Sequence, residues 1–159
     1  MPSETSARCE RVLNMDSPAS NLHPSSAQLD QLMALNDDTG PLFMINMLRF
    51  REQAAYREES GQPPCSGAEA YQRYGAETGP IVERLGGKVR LLMGIELSFI
   101  APDTEQWDKM LIVEWPNLAA FKALLTDHAY QAIGFHRGAA LADSRLLISS
   151  QEFNGFIEK

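Results

Sequence analysis

The sequence has few cysteines, few histidines and fewer positive than negative charges. Its two cysteines, Cys9 and Cys65, form no CxxC pair and have no histidine at metal-ligand spacing. This pattern predicts neither a disulfide framework nor a zinc site, and it indicates free thiols in a reducing compartment. The three histidines are equally scattered, so we expect no metal site and no resident cofactor.

Positive charge is scarce as well. Lysine and arginine together number 14 against 21 aspartates and glutamates, which gives a formal net charge of -7. Nucleic acids and anionic membranes favour proteins with clustered cations. The sequence therefore argues against both as partners, and it leaves a small organic ligand open.

Long apolar runs and several familiar motifs are also missing. The N-terminal stretch MPSETSARCERVLNMDSPASNLHPSS has no continuous apolar segment of the kind that secretory signals contain. The most apolar run, LLMGIELSFIA, is interrupted by Glu96 and alternates like a strand. Neither a GxSxG elbow nor a GxxxxGK[ST] loop occurs. We expect a cytoplasmic protein that has no membrane helix. The sequence also contains neither a serine nucleophile motif nor a phosphate-binding loop.

The chain of 159 residues, 44% of them hydrophobic, is typical of one globular domain. We predict a mobile tail over residues 1–24, an N-terminal helical extension over 25–40, a domain over 41–153 and a C-terminal tail over 154–159. Within the domain, extended patterns cover 41–50, 88–101, 107–115 and 145–153. Helical patterns cover 66–85 and the stretch from 118 to about 142, where Asp127 is a second cap that restarts the helix. This order predicts an α+β, ferredoxin-like βαββαβ fold, with a four-stranded antiparallel sheet and the helices on one face.

Such a fold leaves the second face of the sheet without a covering layer. The strands are rich in apolar residues, PLFMINMLRF at 41–50 being the clearest case. A large bare apolar face is normally buried against another surface, and the same face of a second copy is the simplest partner. We therefore predict a homodimer through the sheet face.

Several phrases resemble one known family. They are INMLRFRE followed by AAY, SGAEAYQRYG, LGGKV, WDKMLIVEWPNLAAFKAL and AYQAIGFHRGAALADSRLL, and together they span Pro41 to Ser149. In this order they resemble the domain of unknown function 1330 family, within the dimeric α/β-barrel superfamily. The resemblance implies a ferredoxin-like protomer and a dimer of two sheets. It implies no activity, because the superfamily includes cofactor-free monooxygenases, lactone isomerases, haem-processing proteins and stress-associated binding proteins.

Polar side chains in the strands are the first candidates for a site. Asn46 lies in the middle of an apolar strand, where its amide needs a partner, either within the core or on a ligand in a pocket between sheet and helices. Arg49 should face the other side of the sheet and reach Glu114 on the third strand. We favour a structural ion pair, the alternative being that Arg49 binds an anionic substrate group and Glu114 acts as a base.

Aromatic residues give two further candidates. Tyr74 shares a helix face with Tyr71 and either belongs to the core or projects into a cleft above the strands. Trp107 is the first residue of the predicted third strand and is expected to pack on the barrel rim, with ligand stacking as the alternative. Both are retained as candidate ligand-binding residues.

The helix-to-strand stretch FHRGAALADSRLL carries the remaining candidates. His136 could serve as a general base or a haem ligand, or it could be a structural histidine. Asp143, seven residues later, would share its face if the helix continues to 142. We expect Arg137, Asp143 and Arg145 to form a local lock between the last helix and the last strand.

These residues favour a small-molecule binding protein. The leading hypothesis is an apolar pocket in each subunit, lined by Asn46, Tyr74 and either His136 or Arg49, with cofactor-free oxygenation or isomerisation as candidate reactions. The first alternative is a non-catalytic binding or stress-associated protein. The second is haem binding through His136 or His128.

Overall fold

The structure is a computed structural model, and it describes residues 21–156. Within the predicted N-terminal tail, residues 1–20, which include Cys9, lie outside the described range, as do residues 157–159 of the predicted C-terminal tail. No helix in the described range is both long and apolar enough to cross a membrane.

Residues 21–156 contain four strands, four α-helices and one short 3-10 turn. They are α1 (Ser26–Ala34), β1 (Leu42–Phe50), the 3-10 turn (Glu58–Ser60), α2 (Gly67–Arg84), β2 (Lys88–Gly94), β3 (Lys109–Trp115), α3 (Leu118–Thr126), α4 (His128–Ala140) and β4 (Leu141–Ser149). The predicted N-terminal helix is confirmed as α1.

Side-chain caps explain where the helices begin. Ser25 and Ser66 each accept a hydrogen bond from the backbone three residues on, and the side chains of Gln28 and Glu69 accept one in return. These capping boxes satisfy backbone groups that a helix start leaves unpaired. The boundary between α3 and α4 falls at Asp127, whose carboxylate accepts a hydrogen bond from the Tyr130 amide.

The four strands form one antiparallel sheet in the order β2-β3-β1-β4. This order, with α2 linking β1 to β2 and α3 and α4 linking β3 to β4, confirms the predicted ferredoxin-like βαββαβ fold. The main core lies between sheet and helices, where Met44 and Trp115 contact Val82, Phe121 and other apolar residues.

The other face of the sheet carries apolar residues that no described helix covers. Phe43, Ile45 and Met47 alternate with the buried residues of β1 and therefore point away from the helices. The pairing places Ile112 of β3 and Leu147 of β4 opposite Ile45 on the same face. We call this surface the open sheet face.

The boundary predicted between the last helix and the last strand is wrong. The helix ends at Ala140 rather than about 142, and β4 covers Leu141–Ser149 rather than 145–153. Leu141 is fully buried and pairs with Phe50 across an irregularity in β1. Strand pairing and burial outweigh the helical pattern of the small residues around Ala142. The second and third strands are also shorter than predicted, ending at Gly94 and beginning at Lys109.

Candidate functional site

His136 lies at the centre of a short chain of polar side chains. It is only 3% exposed on α4. Its Nδ1 lies 2.6 Å from the Tyr56 hydroxyl oxygen, and its Nε2 lies 3.4 Å from a Glu77 carboxylate oxygen on α2. Both ring nitrogens therefore face a protein partner. We call Tyr56, His136 and Glu77 the polar triad.

Backbone hydrogen bonds position Tyr56 for this contact. The amide of Ala55 donates to the Ala139 carbonyl at 2.9 Å, and the amide of Ala54 donates to the Cys65 carbonyl at 2.9 Å. These bonds attach the loop after β1 to the C-terminal end of α4. The Tyr56 and His136 rings meet edge to face with centroids 5.6 Å apart, so packing as well as hydrogen bonding fixes their orientation.

The electrostatic surroundings keep the Tyr56 phenol protonated at neutral pH. Burial raises the pKa of Tyr56 above its usual value, and a hydrogen bond and the charge of Arg73 only partly oppose this effect. The Glu77 carboxylate can only accept, so a neutral imidazole would carry its hydrogen on Nε2, on the side of Glu77. In that tautomer Nδ1 accepts the hydrogen of the Tyr56 hydroxyl.

An open cleft of about 520 Å³ adjoins the polar triad. Its lining combines charged, aromatic and small residues, among them Arg51, Tyr56, Arg57, Phe135, Gly138 and Ala139. We call it the Arg51 cleft. The Tyr56 hydroxyl belongs to the triad and the Tyr56 side chain lines the cleft, so a ligand in the cleft would lie next to the triad.

A second cleft of about 490 Å³ lies between α1 and α3. Leu29, Leu32, Met33 and Leu125 give it apolar walls. The ammonium group of Lys122 at its edge is already held by the Asp37 carboxylate at 2.5 Å. Its lining contains no group of contacting titratable side chains comparable to the polar triad.

Asn46 lies between the two core clusters, and its amide is satisfied by the backbone. The side-chain nitrogen donates to the Met44 carbonyl at 3.2 Å and to the Leu111 carbonyl at 3.4 Å. Neither of the two clefts includes Asn46 in its lining. The geometry matches the core alternative given for this residue.

The contact predicted between Arg49 and Glu114 is wrong. Glu114 pairs with Phe43 at the start of β1, whereas Arg49 is near its end, six residues or roughly 20 Å further along. Glu114 instead forms an ion pair with Arg90 of β2. Arg49 lies opposite Asp143 of β4. The sequence placed the right strands together but could not set their register.

Tyr74 and Trp107 lie in separate environments. The buried Tyr74 hydroxyl donates to the Tyr130 hydroxyl at 3.0 Å. Trp107 is half-buried, and the guanidinium carbon of Arg145 lies 5.0 Å from its ring centroid. The structure therefore does not bring the predicted residues Asn46, Glu114, Tyr74 and Trp107 together with His136 into one contact network.

The helix face that His136 and Asp143 were expected to share is wrong, whereas Arg137 does connect α4 to β4 through Ser144. Asp143 belongs to β4, so it cannot share a helix face with His136, and its partner is Arg145 at 2.9 Å. Arg137 donates to the Ser144 hydroxyl at 3.1 Å and to the Leu22 carbonyl at 2.6 Å. This lock thus includes the segment that precedes α1, because Asp143 also accepts from the Asn21 amide.

Buried tyrosines predict a loss of stability at alkaline pH. Burial raises the pKa of Tyr71 to about 12 and raises the pKa of Tyr74 further. Unfolded tyrosine ionises near pH 10, so above that pH the unfolded state loses protons that the folded state keeps. We expect the contribution of these two tyrosines to the free energy of unfolding to be complete below about pH 10. This contribution should fall as the pH rises towards 12. Urea titrations across this range would measure the loss.

The control for this alkaline effect is Tyr71→Phe, which removes one of the two buried phenols. Its free energy of unfolding should decline less steeply above about pH 10 than that of the unaltered chain. If phenolate absorbance shows every tyrosine ionising near pH 10 in the folded protein, the expected linkage is wrong.

Comparisons with known proteins were consistent with the fold. The profile of a family described as Domain of unknown function (DUF1330) matches residues 65–150. The solved RPA0582 protein, of unknown function, from Rhodopseudomonas palustris is 39% identical with a TM-score of 0.77, and the match covers 86% of this chain and 100% of that one. The methylated RPA0582 protein gives 39% identity and a TM-score of 0.77 over 87% and 99%.

A more distant solved structure is a dimeric protein of unknown function and ferredoxin-like fold from Bacteroides fragilis. It is 12% identical with a TM-score of 0.45, and the match covers 69% of this chain and 95% of that one. No curated protein matches the chain.

Proposed function

The chain belongs to the DUF1330 family, and from this premise we propose that it is a homodimer that binds a small organic molecule in the Arg51 cleft and moves a proton there. The observation that supports this most directly is the buried His136, held between Tyr56 and Glu77 beside the cleft. A base oriented by one partner and hydrogen-bonded to a second group is the arrangement that activates that second group for reaction.

The polar triad suits removal of a proton from a bound ligand. The Tyr56 oxygen would accept a hydrogen from an acidic C–H or O–H of the ligand while its own hydrogen passes to Nδ1 of His136. The ligand becomes an anion and the imidazole becomes an imidazolium, whose charge Glu77 balances at Nε2. The Tyr56 hydroxyl oxygen and Nδ1 of His136 already lie within hydrogen-bond distance of each other, so passing a proton between them needs no rearrangement of the triad.

Return of the proton to a different atom of the ligand completes an isomerisation. This outcome requires nothing beyond the ligand and the triad. Cofactor-free oxygenation would begin with the same deprotonation, and molecular oxygen would then react with the ligand anion. We place isomerisation first because every group it needs belongs to this chain or to the ligand.

Two other functions have weaker support. A binding protein without turnover would use the same cleft, and it differs only in leaving the triad unused. Haem binding through His136 would require one ring nitrogen to give up Tyr56 or Glu77. Within residues 21–156 no group of three potential metal ligands occurs. His128 is exposed at the start of α4 and lines neither of the two clefts.

A ligand screen with a blocked cleft tests the proposed binding. An added Cβ at Gly138 would meet no atom within 4 Å, so Gly138→Met should extend into the Arg51 cleft. A ligand at roughly 100 times its Kd raises the free energy of unfolding by about 2.7 kcal/mol. We expect at least one small phenol, quinone or lactone to raise the melting temperature, and Gly138→Met to abolish that rise.

The matched control is Gly75→Met on α2, which also has open space around its Cβ and does not line the cleft. This variant should keep the ligand-induced rise. If no compound stabilises the protein, or if the rise persists in Gly138→Met, binding in this cleft is contradicted.

The homodimer is supported by the open sheet face. Phe43, Ile45 and Met47 continue across the sheet into Ile112 and Leu147, which makes one apolar surface larger than scattered exposed residues would give. A second copy presents the same surface and so fits it by symmetry. Face-to-face packing of two such sheets would bury these side chains.

Ile45→Asp tests this assembly because it places a charge in the middle of the open sheet face. We expect the unaltered protein to sediment at twice its 17.7 kDa chain mass and Ile45→Asp to sediment as a monomer. Gln72→Asp, on an exposed part of α2, should leave the dimer intact. A monomeric unaltered chain would show that the proposed interface is wrong.

The proposal also includes a cytoplasmic location and the absence of nucleic-acid or membrane partners. A free Cys65 suits a reducing compartment. The formal charge of -7 disfavours anionic surfaces in general.

A further inference from the structure

One arginine of the cleft has a buried donor without a partner. The Nε atom of Arg51 is buried, and no residue in the described range accepts a hydrogen bond from it. Arg57 also lines the cleft, and within residues 21–156 neither arginine forms an ion pair closer than 4.0 Å. In a chain with a large excess of acidic residues, two uncompensated guanidinium groups in one cleft are unusual.

We propose that the Arg51 cleft selects an aromatic carboxylate, whose carboxylate group binds the Arg51 guanidinium and whose ring lies against Phe135 and Tyr56. This inference rests on the proposed function, since it names the class of ligand that the cleft binds. The inference extends the proposed function, because the polar triad alone does not determine whether the ligand is charged or neutral.

The charge preference follows from the Arg51 guanidinium, which lines the cleft and has no ion-pair partner within residues 21–156. The Nε atom is shielded by the protein, so a ligand in the cleft would contact the terminal nitrogens of the guanidinium. A carboxylate accepts two parallel hydrogen bonds from these nitrogens and neutralises the charge. A neutral amide of the same shape has only one acceptor oxygen to offer and carries no charge.

The aromatic preference follows from the walls. Phe135 is 46% exposed although it adjoins the cleft, so part of its ring is free to contact a ligand. Its centroid lies 6.1 Å from that of Tyr56, in an edge-to-face arrangement. Gly138 and Ala139 have small side chains that leave room beside these rings. A flat ring buries more apolar area in such a space than a branched aliphatic chain of similar size.

Glu59 is the acidic residue of the cleft lining. It is exposed, and it makes no ion pair with either cleft arginine within the 4.0 Å limit. Its charge is therefore screened by water, and it weakens the attraction of the cleft for an anion only slightly.

Calorimetric titration with benzoate and benzamide tests the inference on the intact protein. The two probes share a ring and a shape but differ in charge. Hydrogen bonds to charged groups contribute enough for benzoate to bind roughly 10- to 100-fold more tightly than benzamide. Arg51→Gln should remove most of that difference by weakening benzoate alone. Arg57→Gln should have a smaller effect, because the Arg57 side chain is exposed.

Arg90→Gln is the control, since Arg90 lies on β2 and pairs with Glu114 outside the cleft. It removes the same charge and should leave both affinities unchanged. An equal loss in Arg90→Gln would indicate a general charge effect and would overturn the inference. Equal binding of benzoate and benzamide would overturn it as well, while leaving ligand binding in place.

Two further outcomes separate failure of the carboxylate preference from failure of ligand binding in the cleft. If neither probe binds but a neutral phenol or lactone still stabilises the protein through the cleft, only the preference for an aromatic carboxylate is wrong. If no compound of either kind binds, the proposed function fails and the inference fails with it.

Discussion

Gly67→Ala is expected to lower the free energy of unfolding by about 3 kcal/mol, because an added methyl group has no space and two hydrogen bonds would be displaced. A Cβ at this position would lie 2.3 Å from the Arg51 carbonyl oxygen and 2.5 Å from the Ala140 carbonyl oxygen. Both atoms belong to the backbone, so the overlap cannot be relieved by a side-chain rotation. Urea unfolding monitored by circular dichroism would measure the change.

The junction at Gly67 connects three elements next to the candidate site. The Gly67 amide donates to the Arg51 carbonyl at 3.0 Å, and the Arg51 amide donates to the Ala140 carbonyl at 2.9 Å. The start of α2, the end of β1 and the end of α4 therefore meet at one point. Any shift that accommodates alanine moves the backbone of Arg51, so we also expect weaker binding of benzoate in the cleft.

Gly75→Ala provides the matched comparison within the same helix. Its Cβ would meet nothing within 4 Å, and alanine in a helix interior is more favourable than glycine by about 0.5–1 kcal/mol. This variant should be slightly more stable than the unaltered chain. If Gly67→Ala is equally stable, the close approach of the three backbones is wrong.

Local sequence signals predicted most of the fold. Ser66 and Glu69 form the capping box that their spacing indicates. The apolar run of β1 forms a strand in which buried residues alternate with residues on the open sheet face. Caps and periodicity depend on neighbours within a few residues, so they can be read without tertiary information. The same signals gave the element order, and the element order gave the ferredoxin-like topology.

Register and boundaries depended on contacts between distant residues. The sequence paired Arg49 with Glu114 because the two strands are neighbours, but the pairing of Phe43 with Glu114 separates the charges. The sequence extends the last helix to about 142, whereas Leu141 lies in β4 and pairs with Phe50. The pairings of Phe43 with Glu114 and of Phe50 with Leu141 join residues far apart in the chain, so the local sequence does not indicate them.

The candidate site was predicted only in part for the same reason. His136 stands out in the sequence as a titratable residue among small neighbours, yet its partners are Tyr56, 80 residues away, and Glu77, on another helix. Tyr56 lies in a long polar loop, and loops of this kind often border sites, so a weak signal was present. Glu77 had no signal beyond its place on an amphipathic helix.

His136→Gln should lower the rate of proton abstraction by roughly 10²- to 10⁴-fold, since it removes the only group in the triad that can take up a proton from Tyr56. Glutamine can hydrogen-bond to the Tyr56 hydroxyl but has no basic nitrogen. The keto-to-enol tautomerisation of phenylpyruvate is a suitable assay, because the keto form carries an aromatic ring, a carboxylate and an acidic C–H. We expect kcat to fall while KM changes little, since the carboxylate contact at Arg51 is untouched.

His136 is buried, so Tyr56→Phe supplies a second variant that preserves packing while removing the hydroxyl. The two residues act in one transfer, so the double variant should be no slower than the slower single variant. Glu77→Gln should cost less, because the Glu77 side chain is 53% exposed and water partly replaces its charge. His128→Gln, an exposed histidine on the same helix, should leave the rate unchanged. Independent, multiplying losses in Tyr56→Phe and His136→Gln would show that the two side chains do not pass one proton between them.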